Sequence, residues 1–166
     1  WIQQEKVKAI YDKKFLEKEE LEKNILEIKK GNIFGMNVTI PFKRLVIPYL
    51  DELTQNAKIT QSVNIIYMSQ KKIYGDNTDI FGFETPLIDE GFNAKNKQAL
   101  VLGAGGVSTS VILALKNLGI PKITLMNRTK DKALNIQQMF DGIEVKEWGE
   151  KINFDIVVNC TSLGLN

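Results

Sequence analysis

The chain has 166 residues, 43% of them hydrophobic and 25% charged, in the range of an ordinary globular protein. Its 22 basic residues are offset by 20 acidic ones, and a net charge of +2 argues against a dedicated nucleic-acid surface. There is no histidine and only one cysteine, Cys160, which excludes a histidine general base, a Ser-His nucleophile pair, an internal disulfide and the usual His- or Cys-rich metal centres, so no metal is expected.

In chain order, WIQQEKVK reads as the tail of a helix, and AIYDKKF (residues 9–15) has the alternation of a strand. Leu21, Ile25 and Ile28 then recur at helical spacing, with Lys29, Lys30 and Gly31 as an end signal. MNVTI (36–40) is β-branched and strand-like, and Pro41 suits the first turn of a following helix that would carry Lys43. DELTQNAKI reads as a polar helix, VNIIYMS and KKIYG as a hairpin, and DNTDIFGFETPLIDEG as a helix that Pro86 should kink or break.

The pattern changes near Asn96. QALVLG, TSVILALKNLG, KITLMN, KDKALNIQQMF, IEVKEW and FDIVVNCT read as strand, helix, strand, helix, strand, strand. Near-continuous apolar strands alternating with helices imply a parallel sheet covered on both faces, in a doubly wound order. The expected fold class is therefore α/β: an N-terminal α/β substrate-binding domain (1–96), then an incomplete Rossmann-type dinucleotide-binding domain (97–166). No run approaches the roughly 20 apolar residues of a membrane span, so no membrane partner is expected.

Four stretches carry chemistry. In LVLGAGGVSTS, Gly103 permits a tight turn, Gly105 lets backbone approach a pyrophosphate, and the following helix offers free N–H groups and a positive dipole end. Ser108 takes the sixth position of the fingerprint, where Gly or Ala is usual. The second stretch is MNRTKDK, where Asn127, Arg128 and Thr129 stand in place of the acid that binds the ribose hydroxyls of NAD; a guanidinium there suits the 2′-phosphate of NADP, with Lys130 and Lys132 adding to the field. In the third, GMNVTIPFK, Asn37 and Thr39 share one strand face and Lys43 follows, an arrangement suited to a small polyhydroxylated anion. The fourth, GDNTD, puts Asn77, Thr78 and Asp79 at a helix start, where an N-cap carboxylate is the alternative explanation of Asp79.

In order and approximate spacing, NVTIPFK, VN, GDNTD, GAGGVS and NRT resemble the shikimate dehydrogenase family, and NCTSLG (159–164) is similar to its NATSxG segment. The resemblance runs from about Gly31 to the end of the chain. It implies reversible hydride transfer between NADPH and 3-dehydroshikimate, giving shikimate in aromatic amino acid (chorismate) biosynthesis, by a cytoplasmic enzyme acting as a monomer or homodimer on this small-molecule substrate.

By the same resemblance, Lys43 and Asp79 would flank the reacting oxygen, and Thr39, Lys43, Asn64 and Asp79 would contact substrate. Gly103, Ala104, Gly105, Gly106 and Val107 would hold the pyrophosphate, while Asn127, Arg128, Thr129, Lys130, Asp131 and Lys132 would hold the adenosine phosphate. Thr161 and Ser162 would lie near the nicotinamide. The family's SxSxSP segment and its C-terminal contacts find no match, so the resemblance implies a central portion with little turnover on its own. Other readings stay open: a quinate/shikimate dehydrogenase, another NADP-linked Rossmann oxidoreductase, or a nucleotide-binding module without catalysis.

Overall fold

The structure, a computed structural model, describes residue 2 and residues 4–164. It contains two four-stranded sheets. The first is mixed, in the order β1-β3-β4-β2, from β1 (Gly35–Asn37), β2 (Glu52–Leu53), β3 (Ile65–Ser69) and β4 (Lys72–Asp76). The expected hairpin is β3 and β4, paired antiparallel from Ile65↔Asp76 to Ser69↔Lys72. Its two-residue turn puts Gln70 and Lys71 at positive φ, the geometry that matches the twist of the flanking strands. Helix α1 (Leu21–Lys29) lays its predicted stripe, Leu21, Ile25 and Ile28, into a core with Val46, Val63, Ile66 and Ile73.

The second sheet is wholly parallel, in the order β7-β6-β5-β8, from β5 (Gln98–Leu102), β6 (Lys122–Met126), β7 (Ile143–Lys146) and β8 (Ile156–Asn159). Helices α4 (Ser108–Asn117) and α5 (Lys130–Gln137) make the first two crossovers. Eight consecutive residues of α4, from Ser108 through Leu115, are buried, so this helix is enclosed on all sides. Strands β6 and β8 flank β5 on opposite sides, which makes the carboxyl ends of β5 and β8 a topological switch point, where open α/β sheets bind ligands. Asp155 sets the register there: its carboxylate accepts from the Gln98 N–H at 2.8 Å and its own N–H donates to Gln98 O at 2.8 Å. The Gln98 N–H, and then Lys97, hold that carboxyl below the usual carboxylate value. On its other side β8 has no strand among the described residues, and Val157 on it is 49% exposed.

Several expectations fail for identifiable reasons. The described residues among 1–8 form turns and not a helix. Residues 9–15 form no strand, because no neighbouring strand pairs with them; Ile10 and Phe15 are 95% and 97% exposed. The MNVTI strand stops at Asn37, with one more bond from the Val38 N–H to Asn64 O at 2.8 Å. Residues 41–46 form successive turns and not a helix. Pro48 has no N–H to extend an α-helical ladder, and most bonds here reach back three residues, as from Phe42 N to Thr39 O.

The polar helix is shorter than expected. It is α2 (Gln55–Thr60), because Glu52–Leu53 instead pairs in parallel with Tyr74 and Gly75. Conversely, α3 (Asp79–Asp89) runs through Pro86. Pro86 has no N–H to donate to the Gly82 carbonyl, yet the helix continues for three residues beyond it. Helix α3 packs against α4, and Ile80 is buried in the second core among Ala99, Val111 and Ile112.

Candidate functional site

The Lys43 side chain leaves the turns after β1, and Asp79 is the first residue of α3. The structure brings them together: Lys43 Nζ donates to Asp79 Oδ2 at 2.6 Å, with the two side chains 14% and 22% exposed. Asn64, just before β3, donates from Nδ2 to the other oxygen, Asp79 Oδ1, at 2.8 Å. The same amide bonds Thr78: Nδ2 donates to Thr78 Oγ1 at 3.0 Å, and Oδ1 accepts the Thr78 N–H at 2.9 Å. Both carboxylate oxygens are therefore engaged, and the positive end of α3 lies beside the negative charge. Thr39 is exposed, its carbonyl accepting from the Phe42 N–H. No side-chain bond joins Thr39 to the pair among the described residues.

The Gly-rich loop between β5 and α4 sits at the switch point. Gly103 has φ +101°, and a Cβ there would lie 2.9 Å from the backbone C and O of Cys160 and from Thr161 Cγ2. Only glycine fits, because β8 approaches so closely; the Cys160 N–H donates to Leu102 O at 2.7 Å. A Cβ on Gly105 would meet Cys160 O at 3.4 Å, and Gly106 faces open space.

Ser108 does more than stay small. Its hydroxyl is buried, donates to Gly103 O at 2.8 Å and accepts the Gly105 N–H at 2.9 Å, so it clips the loop into shape. The Ala104 N–H is held by Asn127 Oδ1 at 3.0 Å. Among the described residues, none accepts from the N–H of Gly106 or Val107, which stand at the start of α4. Those two donors, the positive end of the helix and the absence of room for a side chain at Gly103 fit a bound phosphate.

Asn127 ties this loop to the next, its Nδ2 donating to Thr129 O at 2.7 Å. Arg128, Thr129, Lys130, Asp131 and Lys132 are all exposed around the start of α5. Lys130 is paired with Glu147, and that hydrogen bond raises the lysine's proton affinity. Arg128 makes no ion pair among the described residues. Thr161 caps its own loop, its hydroxyl donating to Asn159 Oδ1 at 2.7 Å and accepting the Leu163 N–H, while Ser162 is exposed. Cys160 is half-buried, and burial pushes its thiol up to about 11. No group of three or more Cys, Asp or Glu side chains among the described residues is arranged to hold a metal, and no described helix is long and apolar enough to cross a membrane.

Motif reading misses the residues that join the two sites. Asn77, 1% exposed, and Ser62, also 1% exposed, reach from the first half of the chain to the Gly-rich loop and α4. Asn77 stands within GDNTD but reads there as a local helix-start residue, and Ser62 carries no signal at all.

Comparison with known proteins gives two family matches along the chain. Residues 1–66 match the model of the shikimate dehydrogenase substrate binding domain, and residues 87–164 match that of shikimate / quinate 5-dehydrogenase. A shikimate dehydrogenase (NADP(+)) of Pelagibacter ubique strain HTCC1062 is 51% identical over 165 residues, which is 99% of this chain and 62% of that protein. The crystal structure of shikimate dehydrogenase from Aquifex aeolicus superposes with a TM-score of 0.87 at 38% identity, covering 99% of this chain and 62% of that one. That of shikimate 5-dehydrogenase from Thermus thermophilus, in complex with NADP(H) and shikimate, gives 0.88 at 29% identity, with coverage of 99% and 61%. The chain thus spans about 60% of the length of these relatives. Two models from one family, matched in chain order, together with these superpositions, place the chain in the shikimate dehydrogenase family.

Proposed function

We propose that this chain carries the catalytic pair and the nucleotide loop of an NADP-dependent shikimate dehydrogenase, which reduces 3-dehydroshikimate reversibly to shikimate. The observation that supports it most is the Lys43–Asp79 pair, 2.6 Å apart and steadied by Asn64. With no histidine in the chain, a lysine ammonium is the proton donor best suited to a nascent alkoxide. When bound, NADPH would supply the hydride. Lys43 would then give its proton to the oxygen being reduced, and in the reverse direction its neutral amine would take that proton back. Asp79 would keep the ammonium aimed and accept from a neighbouring substrate hydroxyl. Thr39 and Asn64 would bond further hydroxyls from the same side.

In the second half, the free N–H groups of Gly106 and Val107 would bind the pyrophosphate within the loop of Gly103, Ala104 and Gly105. Arg128 would bind the 2′-phosphate, supported by Asn127, Thr129, Lys130 and Lys132 around Asp131, and Thr161 and Ser162 would border the nicotinamide. Residues 1–96 would then serve substrate and 97–166 the dinucleotide. A lone free cysteine suits a reducing compartment, and we read the enzyme as cytoplasmic, acting as a monomer or homodimer.

The test is a chimaera in which this chain replaces the matching segment of the Pelagibacter relative, so that the enzyme has its full length. Shikimate-dependent reduction of NADP, well above that with NAD or with quinate, is the expected result. Activity confined to NAD would overturn the role of Arg128. Nucleotide binding with no turnover of either acid would overturn the reaction itself. The 166-residue chain spans about 60% of the length of its relatives, and by itself it is expected to turn over weakly.

A further inference from the structure

Asn77 sits where four segments meet, and both ends of its side-chain amide and its own N–H are engaged. The two hydrogens of its amide nitrogen are shared among three acceptors, Ser110 Oγ in α4 at 2.9 Å, Ser62 O at 3.0 Å and Thr60 Oγ1 at the end of α2 at 3.1 Å. Its amide oxygen accepts the Asp79 N–H at 3.0 Å, and its own N–H is held by Asp76 Oδ1 at 2.7 Å. Beside it, the Ser62 hydroxyl donates to Gly106 O at 3.2 Å, inside the Gly-rich loop. Asn77, Ser62 and Ser110 are all within 1% of full burial, so water does not compete for these bonds. A buried amide in such a place costs stability unless every bond is made, and its geometry is correspondingly inflexible.

Two short ties thus cross from the first half of the chain to the Gly-rich loop and α4. One of them ends, through a single side chain, on the backbone of Asp79, whose carboxylate holds Lys43. We propose that Asn77 is a positioning residue that couples the Gly-rich loop and α4 to the Lys43–Asp79 pair, so that a ligand engaging the loop resets the carboxylate. The ligand part of this statement rests on the dinucleotide reading above; the mechanical part does not. The geometry favours a rigid relay over a hinge, because the atoms in line are buried and bonded to more than one partner.

The experiment uses the isotope-labelled 166-residue chain and its Ser110→Ala variant, which removes the α4 end of the tie but leaves Asn77 bonded to Thr60 and Ser62. Without ligand, the Asp79 amide should exchange with solvent at least threefold faster in the variant, while the amides of β6 and α1 keep their wild-type rates. On adding NADP+, the Asp79 amide and the Asn64 side-chain amide should shift in the wild type. In Ser110→Ala that shift should fall by more than half, although Gly106 still responds. Ser62→Ala, which cuts the parallel tie, should reduce the same response. Equal Asp79 exchange in wild type and Ser110→Ala, or an undiminished Asp79 response to NADP+ in that variant, would overturn the proposal. If NADP+ moves no resonance in residues 103–107 of the wild type, the dinucleotide reading fails, and the exchange comparison still decides the positioning role.

Discussion

The two halves of the molecule hold their functional groups by different means. In the second half, shape comes from packing: parallel strands of four or five residues, a helix buried over eight consecutive residues and a loop where backbone meets backbone at Gly103. In the first half, strands are two to five residues long and the chemistry is held by polar bonds: Lys43 and Asn64 engage the Asp79 carboxylate, Asn77 holds the Asp79 N–H, and Thr78 steadies Asn64. A packed scaffold tolerates loss of a polar contact but not of space. A polar scaffold tolerates small changes in volume but not loss of a donor or acceptor.

Substitutions can break this contrast or sharpen it. The largest effect is expected from Lys43→Ala in the full-length chimaera, where removing the proton donor should lower kcat by about 10²–10⁴-fold. Because this change touches only the polar half, the Kd for NADP, read by calorimetry, should stay within about twofold of wild type. A large loss of nucleotide affinity would break the division of labour between the halves.

Arg128→Ala comes next. Loss of a charge-assisted bond worth about 1.5–3 kcal/mol should weaken NADP binding by roughly 10–150-fold, with little change for NAD, checked by parallel titrations. Gly103→Ala acts through space: at φ +101° with backbone atoms 2.9 Å from the new Cβ, it should destabilise the fold by about 1–3 kcal/mol and weaken nucleotide binding. Denaturant midpoints check the first effect, and an unchanged midpoint would show that β8 yields more easily than the packed picture allows.

Smaller still is the pH effect of Cys160. Burial raises the folded thiol from 9.0 to about 11, so the unfolded chain loses this proton first. The stability it contributes is complete below pH 9.0 and is lost as pH rises towards about 11. Wild type should therefore lose more stability than Cys160→Ala across that window, and thiol labelling of the folded chain should be slow at about pH 7.

The same contrast explains what could be read from the sequence. The parallel half was legible because local pattern suffices: Ala99, Leu100 and Val101, or Ile123, Thr124 and Leu125, are buried on both faces and flanked by turn residues. The first half depends on distant partners. Residues 9–15 alternate like a strand yet pair with nothing, and Glu52–Leu53 reads as helical but finds an open edge on β4. That Lys43 and Asp79, 36 positions apart, belong together is implied by the family resemblance alone, since by themselves they read as a lysine at an element start and an N-cap carboxylate. Motif spacing is silent on Ser62 and Ser110, since a small hydroxyl residue near a helix has many local uses and its distant partner leaves no periodic mark. Likewise, a hydroxyl at position 108 reads as a small residue, when its value lies in the two loop atoms it binds.

The free side of β8 has a practical consequence. Among the described residues no strand pairs with its outer edge, and such an edge, beside a half-exposed Val157 and Phe154, is a template on which another extended segment can add. At the concentrations that spectroscopy requires, self-association through that edge would compete with the monomer and grow with protein concentration. A charged residue at position 157 would act as a gatekeeper, blunting the template without reaching the apolar core behind it.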